Sequence, residues 1–193
     1  LSIIEGAGEG AFKYLGICLG PDGRLYCAPR HASAVLVWTI DGTQRLRDLE
    51  KRTQDVGFDC QQICWIDGAG ERSMKYNGIC ACPNGRLYCA PFATSSVLVL
   101  DSETRTFSFL EGVGEGSMKY AGICAGPDGL LYCAPRNASS VLVILGFDCQ
   151  RICCVEGAGE GGNKYNGICA GPDRLLYCAP CYASAVLVID SET

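Results

Sequence analysis

The stretch Lys75-Tyr-Asn-Gly-Ile-Cys80-Ala-Cys-Pro-Asn-Gly85-Arg-Leu-Tyr-Cys-Ala90-Pro91, followed by Ser96-Val-Leu-Val-Leu100, decides how the chain folds. Gly78–Ala81 reads as a short strand, Pro83-Asn84-Gly85 as a turn and Arg86–Ala90 as a second strand. Asn-Gly or Asp-Gly between short apolar runs signals a hairpin, because these residues tolerate positive φ. Pro91 ends the second strand, having no N–H to give to a ladder. Ser96–Leu100 and Thr106–Leu110 follow as third and fourth strands. The third is apolar throughout rather than alternating, which means burial on both faces.

The same phrase begins again at Lys13, Lys119 and Lys164. The glycines Gly16, Gly78, Gly122 and Gly167 are 62, 44 and 45 residues apart, so the first interval is a 44-residue period with about 18 residues inserted. Such a period is in the range of four-stranded propeller blades. The third strands, Val35-Leu36-Val37, Val97-Leu98-Val99, Val141-Leu142-Val143 and Val186-Leu187-Val188, are all apolar runs, as in a blade sandwiched between two others. Leu1-Ser-Ile-Ile-Glu5 matches Phe107-Ser-Phe-Leu-Glu111, a fourth strand, and the last repeat ends after its third strand at Ile189–Thr193. Leu1–Ile4 is therefore expected to complete the last blade and seal the ring, removing exposed edges. The expected fold is all-β: a four-bladed β-propeller with four antiparallel strands per blade, the last blade closed by the N-terminal strand. Its blades span about 15–66 (insertion about 41–57), 77–110, 121–155, and 166–190 plus 1–4, in one domain. The alternative is four blades of a longer propeller.

The repeat resembles a family of tandem β-propeller repeats frequent in the deduced proteins of unicellular algae and protists. Their consensus is similar to Lys-Tyr-x-Gly-Ile, Pro-Asp-Gly-x-Leu-Tyr, Ala-Ser-x-Val-Leu-Val-Ile-Asp as these occur here from Lys13, Lys75, Lys119 and Lys164. The resemblance covers nearly the whole chain apart from the insertion. It implies the fold and no activity. The Gly-His and Trp-Asp signature of WD40 blades is missing.

Composition narrows the function. Apolar residues make up 48% and charged residues 19% of the 193, enough to build a core. The net charge of −5 argues against nucleic acid, which needs clustered Lys and Arg. No apolar run approaches the roughly 18 residues of a membrane-spanning helix, and no charged-then-apolar leader is recognisable, so any targeting segment is expected to be absent or already removed. The single histidine, His31, has Ala93, Asn137 and Tyr182 at its repeat positions. It offers little for acid–base chemistry, and neither an enzyme, a cofactor nor a metal centre is expected.

Eight of the fifteen cysteines form four matched pairs, Cys18/Cys27, Cys80/Cys89, Cys124/Cys133 and Cys169/Cys178, each centred on the hairpin turn. If the partners face each other, each pair is a candidate disulfide, somewhat strained for directly opposed positions. The favoured alternative is that Cys is a small, soft filler between blades. Cys60/Cys64 and Cys149/Cys153 would hold their sulfurs more than about 10 Å apart on a strand, too far for one zinc. An odd count leaves at least one free thiol and favours an intracellular setting.

Repetition also places Lys13, Lys75, Lys119 and Lys164 around the mouth of the channel, with Glu9, Glu71, Glu115 and Glu160 nearby. They are candidates for an anion site, although each Glu pairing with its own Lys is the favoured reading. The residues after each second strand differ between repeats: Arg30-His31, Phe92, Arg136-Asn137 and Tyr182. A fixed framework with variable loop positions suits a partner-binding surface. Leu46 and Leu49, on the charged insertion 44–55, are candidates for a contact arm. The expected function is a non-enzymatic interaction scaffold whose partners are other protein subunits, plausible as a peripheral subunit of a larger assembly. The algal resemblance adds an organellar, including photosynthetic, setting. The alternative is a small-molecule or anion binder at the Lys ring.

Overall fold

A computed structural model describes residues 7, 9–39, 63–145 and 151–192. Its strands alternate with tight turns in the repeat order. β1 (Tyr14–Leu19), β2 (Arg24–Pro29), β3 (Ala34–Thr39) and β4 (Ile63–Asp67) form one sheet in sequence order. β5 (Tyr76–Ala81), β6 (Arg86–Pro91), β7 (Val97–Asp101) and β8 (Thr106–Leu110) form the second. The third holds β9 (Tyr120–Ala125), β10 (Leu131–Pro135), β11 (Ser140–Leu145) and β12 (Arg151–Glu156), and the fourth β13 (Tyr165–Ala170), β14 (Leu175–Pro180) and β15 (Leu187–Asp190). All pairings are antiparallel. The fold is a four-bladed β-propeller. Residues 1–4, expected to add a fourth strand beside β15, and the insertion with Leu46 and Leu49 lie outside the described residues. Among the described residues no helix is long and apolar enough to cross a membrane.

Each hairpin between first and second strands is closed by a turn of odd length. In the first blade Gly23 N–H donates to Gly20 O and Gly20 N–H to Arg24 O. The loop is thus Pro21-Asp22-Gly23, with Gly23 in the left-handed region (φ 78°). This is a type I turn followed by a bulge, which suits Pro at the first corner and Gly at the last. Tyr26 locks it by donating its hydroxyl to Asp22 Oδ2 at 2.7 Å, and Tyr132 treats Asp128 the same way at 2.7 Å.

The inner strands set the spacing of the blades. A Cβ on Gly16 would lie 2.9 Å from Gly78 Cα, one on Gly78 3.1 Å from Gly122 Cα, and one on Gly122 2.9 Å from Gly167 Cα. All four glycines have φ between 93° and 112°, at a bulge in the first–second strand ladder. Around this column lie three apolar layers. Val35 and Val37 of the first blade meet Leu87, Cys89, Leu98 and Leu100 of the second. The same arrangement recurs between the second and third blades and between the third and fourth. Every blade thus has a valine side facing forward and a leucine side facing back.

Among the described residues, the fourth blade and the first do not repeat the inner-strand contact of the other joints; the expected closure by residues 1–4 lies outside the described residues. β1 packs on β5, β5 on β9 and β9 on β13, but β13 does not pack on β1 in this way. The space beyond Gly167 is open.

This geometry separates two costs. Gly122→Ala combines a left-handed φ with a backbone collision and is expected to destabilise by more than about 2 kcal/mol. Gly167→Ala has the φ cost alone and should lose clearly less. Urea unfolding of the two variants checks the order.

Candidate functional site

The four repeated lysines sit where each chain crosses from an outer strand to the next inner one. Lys75 Nζ donates to Ala32 O (2.6 Å) and Arg72 O (2.8 Å), Lys119 Nζ to Thr94 O (2.7 Å) and Gly116 O (3.1 Å), and Lys164 Nζ to Ala138 O (2.7 Å) and Gly161 O (3.0 Å). In each case one acceptor belongs to the preceding blade and one to the lysine's own loop. Lys13 Nζ donates to Ala7 O. Lys75, Lys119 and Lys164 are buried. Burial lowers their pKa, opposed by the charges of Glu71, Glu115 and Glu160. Among the described residues no ion pair joins Glu71, Glu115 or Glu160 to its lysine, the arrangement favoured from the sequence. The ammonium groups point into backbone carbonyls, so they act as pins between blades, and the glutamates influence them only through space. A lone pair on a buried carbonyl is an obligatory acceptor, and a long, charged donor reaches two at once.

The candidate disulfides are not formed; all eight cysteines are free. The odd turn explains this. Cys18 pairs with Tyr26 and Cys27 with Ile17; Cys80, Cys124 and Cys169 pair with Tyr88, Tyr132 and Tyr177. The two cysteines of a hairpin are one register step out of line and therefore project from opposite faces of the sheet. Thiols also influence one another across the joints between blades, Cys18 acting on Cys89, Cys80 on Cys133 and Cys124 on Cys178, and Cys178 feels Cys169 of its own hairpin as well. Cys89, Cys133 and Cys178 are buried within the apolar layers, in the filler role. Cys18 Sγ also accepts Ala81 N–H at 3.3 Å across the first joint. Burial, then neighbouring thiols, pushes Cys80 and Cys178 up to about 12. Cys60 and Cys149 lie outside the described residues.

The variable loop residues share one face, since Arg30 and His31 N–H both donate to Lys13 O, as Phe92 and Ala93 do to Lys75 O. There an aromatic and cationic stack runs across the blades. The Arg30 guanidinium lies 6.0 Å from the Phe12 ring centre and 5.0 Å from that of Phe92, and the Arg136 guanidinium lies 5.8 Å from that of Phe92. Arg30 Nε is buried with no hydrogen-bond partner among the described residues, and the guanidinium is held by the rings and by Nη2 donating to Met74 Sδ at 4.0 Å. Arg136 is fixed further by Asn163 Oδ1 (2.9 Å) and Asn166 Oδ1 (3.3 Å). Phe92 is buried and serves as the spacer between two arginines rather than as a contact surface. Asn137 is also tied in, accepting Asn163 N–H at 2.7 Å and donating to Ser117 O at 3.2 Å. His31 is exposed. Tyr182, 78% exposed, projects from the same loop of the fourth blade. Phe12 joins the group without having been singled out in the sequence; it is 73% exposed in a left-handed conformation (φ 51°). Met74, Met118 and Asn163 share that conformation at the equivalent positions (φ 54°, 53° and 55°). The hydrophobic residue just before Lys13, Lys75 and Lys119 was the available signal. Among the described residues no three His, Cys, Asp or Glu side chains come together as a metal site.

No family model matches this chain, and no curated protein does. Solved structures share the fold. One is virginiamycin B lyase from Staphylococcus aureus, at 15% identity and TM-score 0.69, covering 91% of this chain and 52% of that one. Another is Kuenenia stuttgartiensis hydrazine synthase, at 18% identity and TM-score 0.64, covering 98% and 49%. A third comes from the nidogen/laminin complex, at 15% identity and TM-score 0.62, covering 91% and 58%. The chain therefore spans about half the length of these proteins, and identities this low carry the architecture alone. They include enzymes and a protein–protein complex.

Three outcomes follow. Under native conditions Cys89, Cys133 and Cys178 should resist alkylation while Cys153, Cys154, Cys169 and Cys181 react, as read by peptide mass mapping. Stability in alkali should fall. Cys80, Cys178 and Tyr26 all have folded-state values near 12, above the ordinary 9.0 and 10.0. Their contribution is complete below pH 9 and is lost as pH rises toward 12. The buried lysines have the opposite sign and gain as pH approaches 10.5, so denaturant midpoints taken from pH 8 to 11.5 should show a net decline dominated by the thiols and phenol. Lys119→Met removes a charged donor from two carbonyls and should cost about 1.5–3 kcal/mol in the same assay.

Proposed function

We propose that this propeller is a protein-binding platform without chemistry of its own, a peripheral subunit that holds a partner on the loop face bearing Phe12, Arg30, Arg136 and Tyr182. The observation that carries the reading is the stack itself. Two guanidinium groups lie over a buried phenylalanine, exposed Phe12 lies at one end of the row, and exposed Tyr182 stands on the equivalent loop of the fourth blade. Pre-ordered arginine and aromatic side chains bind with little loss of rotamer freedom, and such residues dominate the energetics of protein interfaces. The surface suits a partner segment that combines carboxylates with apolar side chains. The structural likeness to a chain of the nidogen/laminin complex is compatible with a binding role, and the likeness to virginiamycin B lyase leaves chemistry open on fold alone. His31 stands exposed on this face, and none of the arrangements described above gives it an acid–base partner. The lysine ring does not support the anion-binding alternative, because the ammonium groups already serve backbone carbonyls.

Affinity capture from native lysate, quantified by mass spectrometry, tests this. Arg30→Ala with Arg136→Ala, and separately Phe12→Ser, should each lower recovery of the co-purifying protein at least tenfold while His31→Ala leaves it unchanged. Recovery that is indifferent to the arginine and Phe12 changes would remove this face from the interaction.

A further inference from the structure

The three internal joints are copies of one interface, and its two halves reappear, uncovered, at the ends of the row of blades. On the fourth blade the valine side is bare. Val186 and Val188 are 51% and 48% exposed, whereas their counterparts in the first three blades are at most 3% exposed. Ala179 is exposed where Ala28, Ala90 and Ala134 are fully buried. Gly167 faces open space where Gly16, Gly78 and Gly122 each meet the next glycine. On the first blade the leucine side is partly uncovered, with Leu25, Cys27 and Leu36 half-buried. Ile17 is 59% exposed, while its counterparts Ile79 and Ile123 are buried, and Leu19 beside it is exposed too. Unpaired apolar faces of this kind mark association surfaces.

We propose that two copies of this chain join head to tail, the valine side of the fourth blade of one seated on the leucine side of the first blade of the other. The occupant is indicated by continuity. The surface that fits a bare valine side is a leucine side, as three joints within the chain demonstrate, and a second copy supplies it. A valine side does not match itself, so the contact is heterologous, and heterologous contacts close into rings when the rotation permits. A two-fold axis makes both joints at once. Four blades from each copy give eight, within the range of about four to eight that propellers hold.

Light scattering coupled to size exclusion, with the 193-residue chain at tens of micromolar, should give about twice the 20.5 kDa chain mass. Val188→Asp and Ile17→Asp each place a carboxylate in both joints and should give monomers with unchanged circular dichroism. Ala179→Arg, at another exposed position, repeats the first if Val188→Asp folds poorly. Mixing Val188→Asp with Ile17→Asp leaves one joint intact and should restore a two-copy species. A monomeric unmodified chain overturns the proposal, whether its end faces meet each other or another protein. So does a mass above two copies, or a dimer indifferent to these substitutions.

Discussion

Contact between inner-strand backbones at Gly16, Gly78 and Gly122, each against the glycine of the next blade, is the constraint from which the rest of the structure follows. Blades stacked at that distance leave no room for a Cβ near the axis, and the bulge that creates the approach demands a left-handed φ. The residues next along must then be small. Ala28, Ala90 and Ala134 close the second strands, and cysteines fill the layer beside them. Farther out the wedge widens and Val, Leu and Tyr take over. The repeated choice of cysteine is thus a matter of volume: a thiol is larger than a methyl, smaller than isobutyl, and has little need of a hydrogen bond.

The blade architecture was legible because glycine, turn and apolar triplet recur at one period, and a periodic signal survives errors in any single strand. The turn Pro83-Asn84-Gly85 was legible as well, but the register of the cysteines across it was not. Cysteines nine residues apart are centred between Asn84 and Gly85, whereas the three-residue loop is centred on Asn84. That offset sets Cys80 opposite Tyr88 and Cys89 opposite Ile79, so the two thiols leave the sheet on opposite faces. The lysines were harder to read for a different reason. Fourfold repetition establishes that a residue matters to every blade, but a need shared by every blade is as well met by a structural pin as by a ligand. The open seam at Gly167 had no local signal at all, since all four repeats carry the same core residues whether or not a neighbour covers them.

The loop face is where the repeats cease to agree, and the stack of Phe12, Arg30, Phe92 and Arg136 exists because they do. A strictly symmetric propeller would place four arginines or four phenylalanines around the rim. Like charges would repel in the first case, and rings would lack a cation in the second. Alternation between blades turns equivalent positions into complementary ones, each guanidinium lying over a ring. Orientation is then fixed without any carboxylate, so the edge donors of Arg30 and Arg136 are not tied up in ion pairs, and among the salt bridges of the described residues neither appears.

The same break in symmetry decides how blade stacking ends. Within the chain each joint forms between surfaces already tethered, so only apolar burial and the lysine pins are needed to hold it. A joint between separate molecules must also overcome the loss of translational and rotational freedom, several kcal/mol at the least. The blade surface meets that demand through its directionality. The valine side and the leucine side fit in one order only, which rules out back-to-back pairs and leaves two results for any exposed pair of ends, a closed ring or an open polymer. Curvature set by the glycine column selects between them, because every joint turns the chain by the same amount as the one before.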